Sequence, residues 1–163
     1  AMSRMQETTS SSFAVDLKAW AGIMAAYESG GHAYHATMPT DALTVFRDTM
    51  LETRDYGFDR LKQAQFALGH GARDLLARRG IRSVAADGFG APGVVVSYTD
   101  DPDIKSGAKF AALGVQVAAG VPLRVDEPED FMTFRIGLFG LDKLYDVDAT
   151  LDRLDAALGQ VFA

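Results

Sequence analysis

The sequence predicts an α+β fold, in which helices cover a small antiparallel or mixed sheet and one long helix connects two parts of the chain. Three observations support this prediction. Apolar residues recur at helical spacing through residues 41–79, β-branched runs bounded by glycine and proline follow, and an amphipathic helix comes last. The predicted order after the long helix is strand, strand, helix, strand, strand, helix. Connections this short favour antiparallel neighbours over a doubly wound parallel sheet.

The first 40 residues predict one short helix between a flexible segment and an extended one. Residues 1–12 are polar and rich in serine and threonine, and we expect them to form a flexible segment. Ser12 can cap a helix whose apolar residues continue at helical spacing until Gly30 and its neighbouring glycine end it. Pro39 then favours an extended backbone at Met38.

The long helix predicted over residues 41–79 has recognisable signals at both ends. Thr40 or Asp41 can cap its amino end, and Arg79 precedes a glycine at its carboxyl end. A glycine at position 57 provides a point at which this helix can bend.

The remaining segments predict shorter elements of alternating type. β-branched residues and flanking glycines or prolines indicate the strands, and acidic residues at amino ends indicate the helices. The predicted strands cover residues 81–86, 93–98 and 133–140, and residues 115–123 are predicted to form a strand and a turn. The predicted helices cover residues 100–114 and 146–162.

Composition excludes several classes of protein. The 163 residues are 48% hydrophobic, carry a formal net charge of −6 and contain no cysteine. This hydrophobic fraction suffices for a buried core, whereas nucleic-acid binding would need a basic stripe that the sequence lacks. The lack of cysteine excludes disulfides and thiol nucleophiles. No apolar run approaches the roughly 20 residues of a membrane helix, so we predict a soluble, cytoplasmic protein that binds neither nucleic acid nor a membrane.

The glycine-rich stretch at residues 88–93 matches the pattern G-x-G-x-x-G of dinucleotide-binding loops. In those loops the glycines lead into a helix whose amino end receives the pyrophosphate. Here they lead into a predicted strand, so we interpret the stretch as a turn.

No metal site is predicted. His32, His35 and His70 are the only histidines, and no carboxylate stands at a fixed helical offset that would complete a zinc site with the first two. The aspartates at 100, 101 and 103 lack the alternating oxygen ligands of a calcium loop and stand where a helix favours anions. We therefore expect the aspartates to cap a helix.

Arg135 is the candidate functional residue that the sequence singles out. It lies inside an apolar run, where an unpaired guanidinium group would be very costly. The pattern alone favours a salt bridge to a carboxylate of the preceding loop, at positions 126, 127, 129 or 130, over the anion of a ligand, and both partners remain open at this stage. A rigidly held arginine recognises a carboxylate through two parallel hydrogen bonds, which favours the ligand.

Two stretches together resemble a known family. They read GGHAYHATMPTDAL at 30–43 and FRIGLFG at 134–140. Their order and spacing are similar to the carboxyl-terminal part of class V aminotransferases, fold-type I enzymes of the alanine-glyoxylate or serine-pyruvate type. The resemblance extends over residues 13–162.

This resemblance implies a cofactor, substrates and roles for three residues. The cofactor is pyridoxal 5'-phosphate, and the substrates are a small amino acid and a 2-oxo acid such as pyruvate or glyoxylate. Tyr34 and Thr37 match residues that reach across the interface of a homodimer to the cofactor phosphate. Arg135 matches the residue that binds the substrate carboxylate. The small domain of these enzymes has the α+β fold described above.

No catalytic residue is assigned. In the family, the lysine that binds the cofactor covalently precedes the segment that matches Tyr34, and Lys18 does not match its position. The resemblance therefore implies a fragment that is inactive alone, with a flexible segment at 1–12, a remnant of the large cofactor-binding domain at 13–40 and the small domain at 41–163.

Two alternatives from other classes remain. The chain could be a stand-alone α+β module that senses a small carboxylate through Arg135. It could also be a dimerisation module that binds no ligand and uses an exposed face at Trp20, Ile23 and Met24.

Overall fold

The computed structural model describes residues 2–13, 15–37 and 39–163. The chain forms two compact units, Ala1–Thr49 and Met50–Ala163. The extended backbone expected at Met38 lies outside the described residues. The predicted division into a remnant at 13–40 and a small domain from residue 41 stays a prediction.

The first unit contains helix α1 (Met2–Glu7) and helix α2 (Leu17–Glu28). The segment that the sequence predicted to be flexible contains α1, and its flexibility stays a prediction. The Ser12 cap is wrong, because the carboxylate of Asp16 accepts the backbone amide protons of Lys18 and Ala19 at 3.1 Å and starts α2 there.

The dimerisation alternative placed Ile23 on an exposed face of the helix that is now α2. Ile23 is buried instead, while its neighbour Met24 is exposed. The exposed apolar face of α2 that the dimerisation alternative needs therefore lacks Ile23.

The predicted long helix is two helices, α3 (Thr40–Tyr56) and α4 (Phe58–Ala77). Gly57 separates them with φ +96° and ψ +124°, a conformation that glycine adopts without steric cost. Its backbone amide still donates to the carbonyls of Thr53 and Arg54, so α3 closes with its own hydrogen bonds. The glycine that was expected to bend one helix thus ends the first and starts the second.

The sheet has strands β1 (Val94–Tyr98), β2 (Ala118–Ala119) and β3 (Thr133–Gly137). Its order is β1-β3-β2, and both pairings are antiparallel, which confirms the predicted fold class. The strand predicted over 81–86 is wrong, because only an isolated bridge between Ser83 and Ser97 forms there. The strand predicted over 115–123 shrinks to the two residues of β2.

Short helices lie between and after the strands along the chain. The helix predicted over 100–114 is split into α5 (Pro102–Ser106) and α6 (Ala108–Ala111), because Gly107 takes a left-handed conformation with φ +84° between them. Helix α7 (Leu141–Leu144) follows β3 and was not predicted. The closing helix is α8 (Val147–Val161), close to its prediction.

The core of the second unit lies between the sheet and helices α4 and α8. Phe134 and Ile136 on β3 face it, and the rings of Phe110 and Phe134 lie 5.6 Å apart. The other buried apolar residues of this cluster are Leu68, Ala72, Leu75, Leu76, Val95, Ile104, Leu138, Leu144, Leu158 and Val161. Because side chains alternate along a strand, Arg135 points to the opposite face of the sheet.

Arg79 follows the end of α4 and binds Asp155 on α8 through hydrogen bonds and an ion pair. The sequence had indicated this arginine only as a helix end. Its Nη1 donates to Asp155 Oδ1 at 2.8 Å, and its Nη2 donates to the Asp155 carbonyl at 3.0 Å.

No helix among the described residues is long and apolar enough to cross a membrane.

Candidate functional site

Arg135 lies in the middle of the central strand β3. Its backbone pairs with Val96 on one side and with Ala118 on the other. Its neighbours Phe134 and Ile136 are buried in the core, which fixes the strand, while Arg135 itself is half-buried. A core-anchored central strand therefore holds the guanidinium group on the open face of the sheet.

The guanidinium group of Arg135 hydrogen bonds to the backbone. Its Nε donates to the carbonyl oxygen of Ala119 at 2.9 Å. Across the described parts of the chain, no carboxylate forms an ion pair with Arg135. Of the two partners that the sequence left open, the loop carboxylates are thus not used in this structure.

Glu127, one of those loop carboxylates, binds its own loop instead. Its two oxygens accept the backbone amide protons of Arg124 at 2.8 Å and Val125 at 2.7 Å. These hydrogen bonds favour the charged form and lower the pKa of Glu127 from 4.5 to about 2. Arg124 and Asp126 have φ values of 60° and 61°, and the carboxylate holds the loop in this strained shape.

We expect Glu127 to give an acid-dependent contribution to stability. Because its folded pKa is depressed, the contribution is present above the ordinary value of 4.5 and is lost as pH falls toward the folded value of about 2. Glu127→Gln should therefore flatten the pH dependence of the free energy of unfolding in that window. An NMR titration of the Glu127 carboxyl carbon checks the midpoint directly.

The control for this titration is the urea-unfolded chain, in which the loop is lost and the Glu127 midpoint should return to its ordinary range. A folded chain whose Glu127 titrates near 4.5 would contradict the backbone hydrogen bonds described here.

Tyr34 and Thr37 lie together in the first unit. The Tyr34 hydroxyl and the Thr37 Oγ1 are 3.2 Å apart and hydrogen bonded to each other. Tyr34 is 78% exposed, and Thr37 is also exposed. Two hydroxyl groups are therefore presented side by side to solvent, and both can donate to an oxygen-rich anion.

His35 lies between them in sequence but has a structural role. Its Nε2 is 3.0 Å from the Phe13 carbonyl oxygen, and its ring lies 4.5 Å from the ring of Phe13 and 5.3 Å from that of Trp20. These contacts fix the segment that carries Tyr34 and Thr37.

Among the residues that the structure describes, no group of histidine and acidic side chains could hold a metal ion. Asp101 caps α5, as predicted for the acidic cluster, and accepts from the amides of Asp103 and Ile104. Lys109 Nζ binds the same carboxylate at 2.6 Å, which lowers the pKa of Asp101 and raises that of Lys109. The glycine-rich stretch at 88–93 precedes β1, in agreement with a turn.

Sequence reasoning missed the residues that surround the Arg135 guanidinium. Its acceptor is the Ala119 carbonyl, and every residue carries such an oxygen, so no residue type indicates it. Gly120 is also part of this arrangement. Its position after two alanines was a signal, since glycine in a strand often marks a close backbone approach.

Comparison with known proteins gives a structural match. No family model and no curated protein matches the chain. An alanine-glyoxylate aminotransferase from Nostoc sp. superposes with a TM-score of 0.76 at 17% identity, over 96% of this chain and 39% of that one. A ureidoglycine-glyoxylate aminotransferase from Bacillus subtilis superposes with a TM-score of 0.66 at 18% identity, over 98% of this chain and 40% of that one.

These matches confirm the resemblance seen in the sequence at the level of the fold. The chain has the fold of part of such aminotransferases, and its small antiparallel sheet with covering helices matches the one in their structures. It spans about 40% of the length of the matched structures. At this identity the likeness shows the fold alone.

Proposed function

We propose that this chain is the carboxyl-terminal part of a pyridoxal phosphate-dependent class V aminotransferase, and that it binds the substrate and contacts the cofactor phosphate. The substrates are a small amino acid and a 2-oxo acid, pyruvate or glyoxylate. The proposal is supported by the fold shared with two aminotransferases and by the residues that the sequence resemblance singled out.

The observation that carries this proposal is the state of Arg135. A guanidinium group stands on a rigid central strand, with its Nε on a backbone carbonyl and without an ion pair among the described side chains. A half-buried cation in this position gains from an external carboxylate, since charge-assisted hydrogen bonds of this type contribute about 1.5–3 kcal/mol each. Arg135 would bind and orient the carboxylate of the amino acid or 2-oxo acid.

The hydroxyl pair of Tyr34 and Thr37 fits the phosphate end of the cofactor. Both groups are exposed and adjacent, so each can donate its one proton to a phosphate oxygen when the hydrogen bond between them opens. We propose that they do so across the interface of a homodimer, on the cofactor of the partner subunit. The cofactor, when bound, supplies the electron sink that transamination requires.

We expect the chain alone to catalyse no transamination of alanine with glyoxylate, because none of its lysines matches the cofactor-binding lysine of the family. Lys109 and Lys143 are already paired with Asp101 and Asp142. Incubation with pyridoxal phosphate, followed by borohydride reduction and peptide mass mapping, checks this. Labelling at one defined lysine together with turnover of alanine would contradict the proposal. Specific binding of a small carboxylate by a chain that needs no cofactor would instead favour a ligand-sensing module.

Tyr34→Phe should weaken cofactor retention in the full-length aminotransferase while leaving the fold intact. The change removes one hydrogen bond to a charged acceptor, worth about 1.5–3 kcal/mol, or roughly 10- to 150-fold in the dissociation constant. The measurement is the release of cofactor during dialysis, followed by absorbance.

Tyr27→Phe is the matched control, because this exposed tyrosine on α2 lies outside the hydroxyl pair. Equal cofactor affinity in Tyr34→Phe and the parent enzyme would show that the Tyr34 hydroxyl does not contact the phosphate.

A further inference from the structure

We propose that Gly120 is a positioning residue for Arg135. Because it has no side chain, strand β2 can lie close to β3, and the Ala119 carbonyl then accepts the hydrogen bond from Arg135 Nε. A carboxylate ligand is left with the two terminal Nη nitrogens. This inference rests on the proposed function, in which Arg135 binds a substrate carboxylate.

Gly120 occupies a position that no other residue can take without moving the backbone. A Cβ placed there would collide with the carbonyl oxygen of Thr133, and it would lie 2.6 Å from Thr133 Oγ1. The Thr133 side chain is buried, with 1% of its surface exposed, so it has little room to move. The restriction is one of space, and it ties the end of β2 to the start of β3.

The other side of Gly120 is also held. Its backbone amide donates to the carbonyl oxygen of Lys105 at 3.2 Å, which attaches it to helix α5. Asp101 caps that helix. Gly120 is therefore fixed between α5 and β3 through its backbone alone.

The position of Gly120 between α5 and β3 affects Arg135 through one residue, Ala119. Strand β2 has only two residues, with Ala118 opposite Arg135 and Ala119 opposite Phe134. Gly120 follows Ala119 directly, so a shift of the backbone at Gly120 moves the Ala119 carbonyl that accepts from Arg135 Nε. A longer strand would share such a shift over more hydrogen bonds.

The occupied Nε restricts how Arg135 can bind an anion. A guanidinium group can meet a carboxylate side-on, through Nε and one Nη, or end-on, through both Nη nitrogens. The hydrogen bond from Nε to Ala119 leaves the end-on approach. The strand therefore sets the plane in which a substrate carboxylate must lie, which is how Gly120 would affect substrate orientation.

The test measures hydrogen exchange of the Arg135 Nε–H in the isotope-labelled chain by NMR. In the parent chain we expect exchange about tenfold slower than in the urea-unfolded chain, the protection that one hydrogen bond of typical strength gives. Gly120→Ala should lose this protection. Gly137→Ala is the matched control in the same sheet, since its Cβ would meet only Phe139 Cδ2 at 3.9 Å, and it should keep the protection.

An unprotected Nε–H in the parent chain would overturn the inference, and so would equal protection in Gly120→Ala. If Gly120→Ala does not fold, the scalar coupling between Arg135 Nε and the Ala119 carbonyl carbon in the parent chain decides, because its absence removes the proposed acceptor.

Titration with propionate separates this inference from the proposed function. Shifts at the Nη groups with little change at Nε–H support both. If Nε–H is protected and propionate shifts no Arg135 signal, the proposed carboxylate site is wrong and the positioning by Gly120 stands. A propionate shift centred on Nε–H would overturn the end-on geometry while supporting the carboxylate site.

Discussion

In the full-length aminotransferase that we propose, Arg135→Ala lowers kcat/KM for the amino acid substrate by about 100-fold or more. The two Nη donors lost from the carboxylate contribute about 1.5–3 kcal/mol each, and about 1.4 kcal/mol corresponds to a factor of ten. The loss should appear for both the amino acid and the 2-oxo acid, since both present the same carboxylate. Steady-state kinetics with each substrate is the measurement.

Arg135→Lys should restore little of this activity. A lysine ammonium is a point charge that cannot present two parallel donors, and it also lacks the Nε that Arg135 places on Ala119. Arg153→Ala is the matched control for loss of a positive charge, because Arg153 is exposed on α8 and hydrogen bonds within that helix to Thr150. Unchanged kcat/KM in both Arg135 variants would remove the substrate-binding role.

Phe134→Ala should lower the free energy of unfolding by about 3–5 kcal/mol, the range for a large aromatic side chain deleted from a core. Phe134 is fully buried, and its ring lies 5.6 Å from Phe110 and 6.1 Å from Phe162. The same residue aligns the strand on which Arg135 lies, so stability and the candidate site depend on it together. Urea unfolding followed by circular dichroism measures the change.

The matched control is Phe89→Ala, which removes the same side chain where it is 84% exposed. Surface substitutions of this kind usually change stability by about 0.5 kcal/mol or less. If Phe134→Ala does not fold, Phe134→Leu keeps part of the buried volume and should cost less. Equal losses at positions 89 and 134 would show that Phe134 is not the centre of the core.

Local patterns predicted most of the elements near the site. The strand that carries Arg135 and the closing helix α8 follow from β-branched residues and helical periodicity, and the structure contains both. Two errors, both in the extent of a helix, arose where a single glycine decided the outcome. Gly57 and Gly107 each split one predicted helix into two, because a left-handed or extended glycine allows the chain to change direction at little cost.

The short strand β2 shows a different kind of error. The β-branched residues at 115–123 predicted a longer strand, but pairing with β3 stops after Ala118 and Ala119. Strand formation depends on a partner in space as well as on propensity, so a run at the edge of a sheet pairs only where the neighbouring strand reaches it.

The amino-acid sequence alone determined the fold class, the closing helix and the placement of Arg135 on a strand beside buried neighbours. These features depend on residue type and on spacing along the chain. Only the tertiary structure decided what surrounds the guanidinium group. The carbonyl oxygen of Ala119 accepts from the guanidinium group, and Gly120 has no side chain that would push the neighbouring strand away. Glu127 accepts hydrogen bonds from amides of its own loop instead. The physical reason is that backbone groups are the same in every residue, so their partners depend on which segments meet in space.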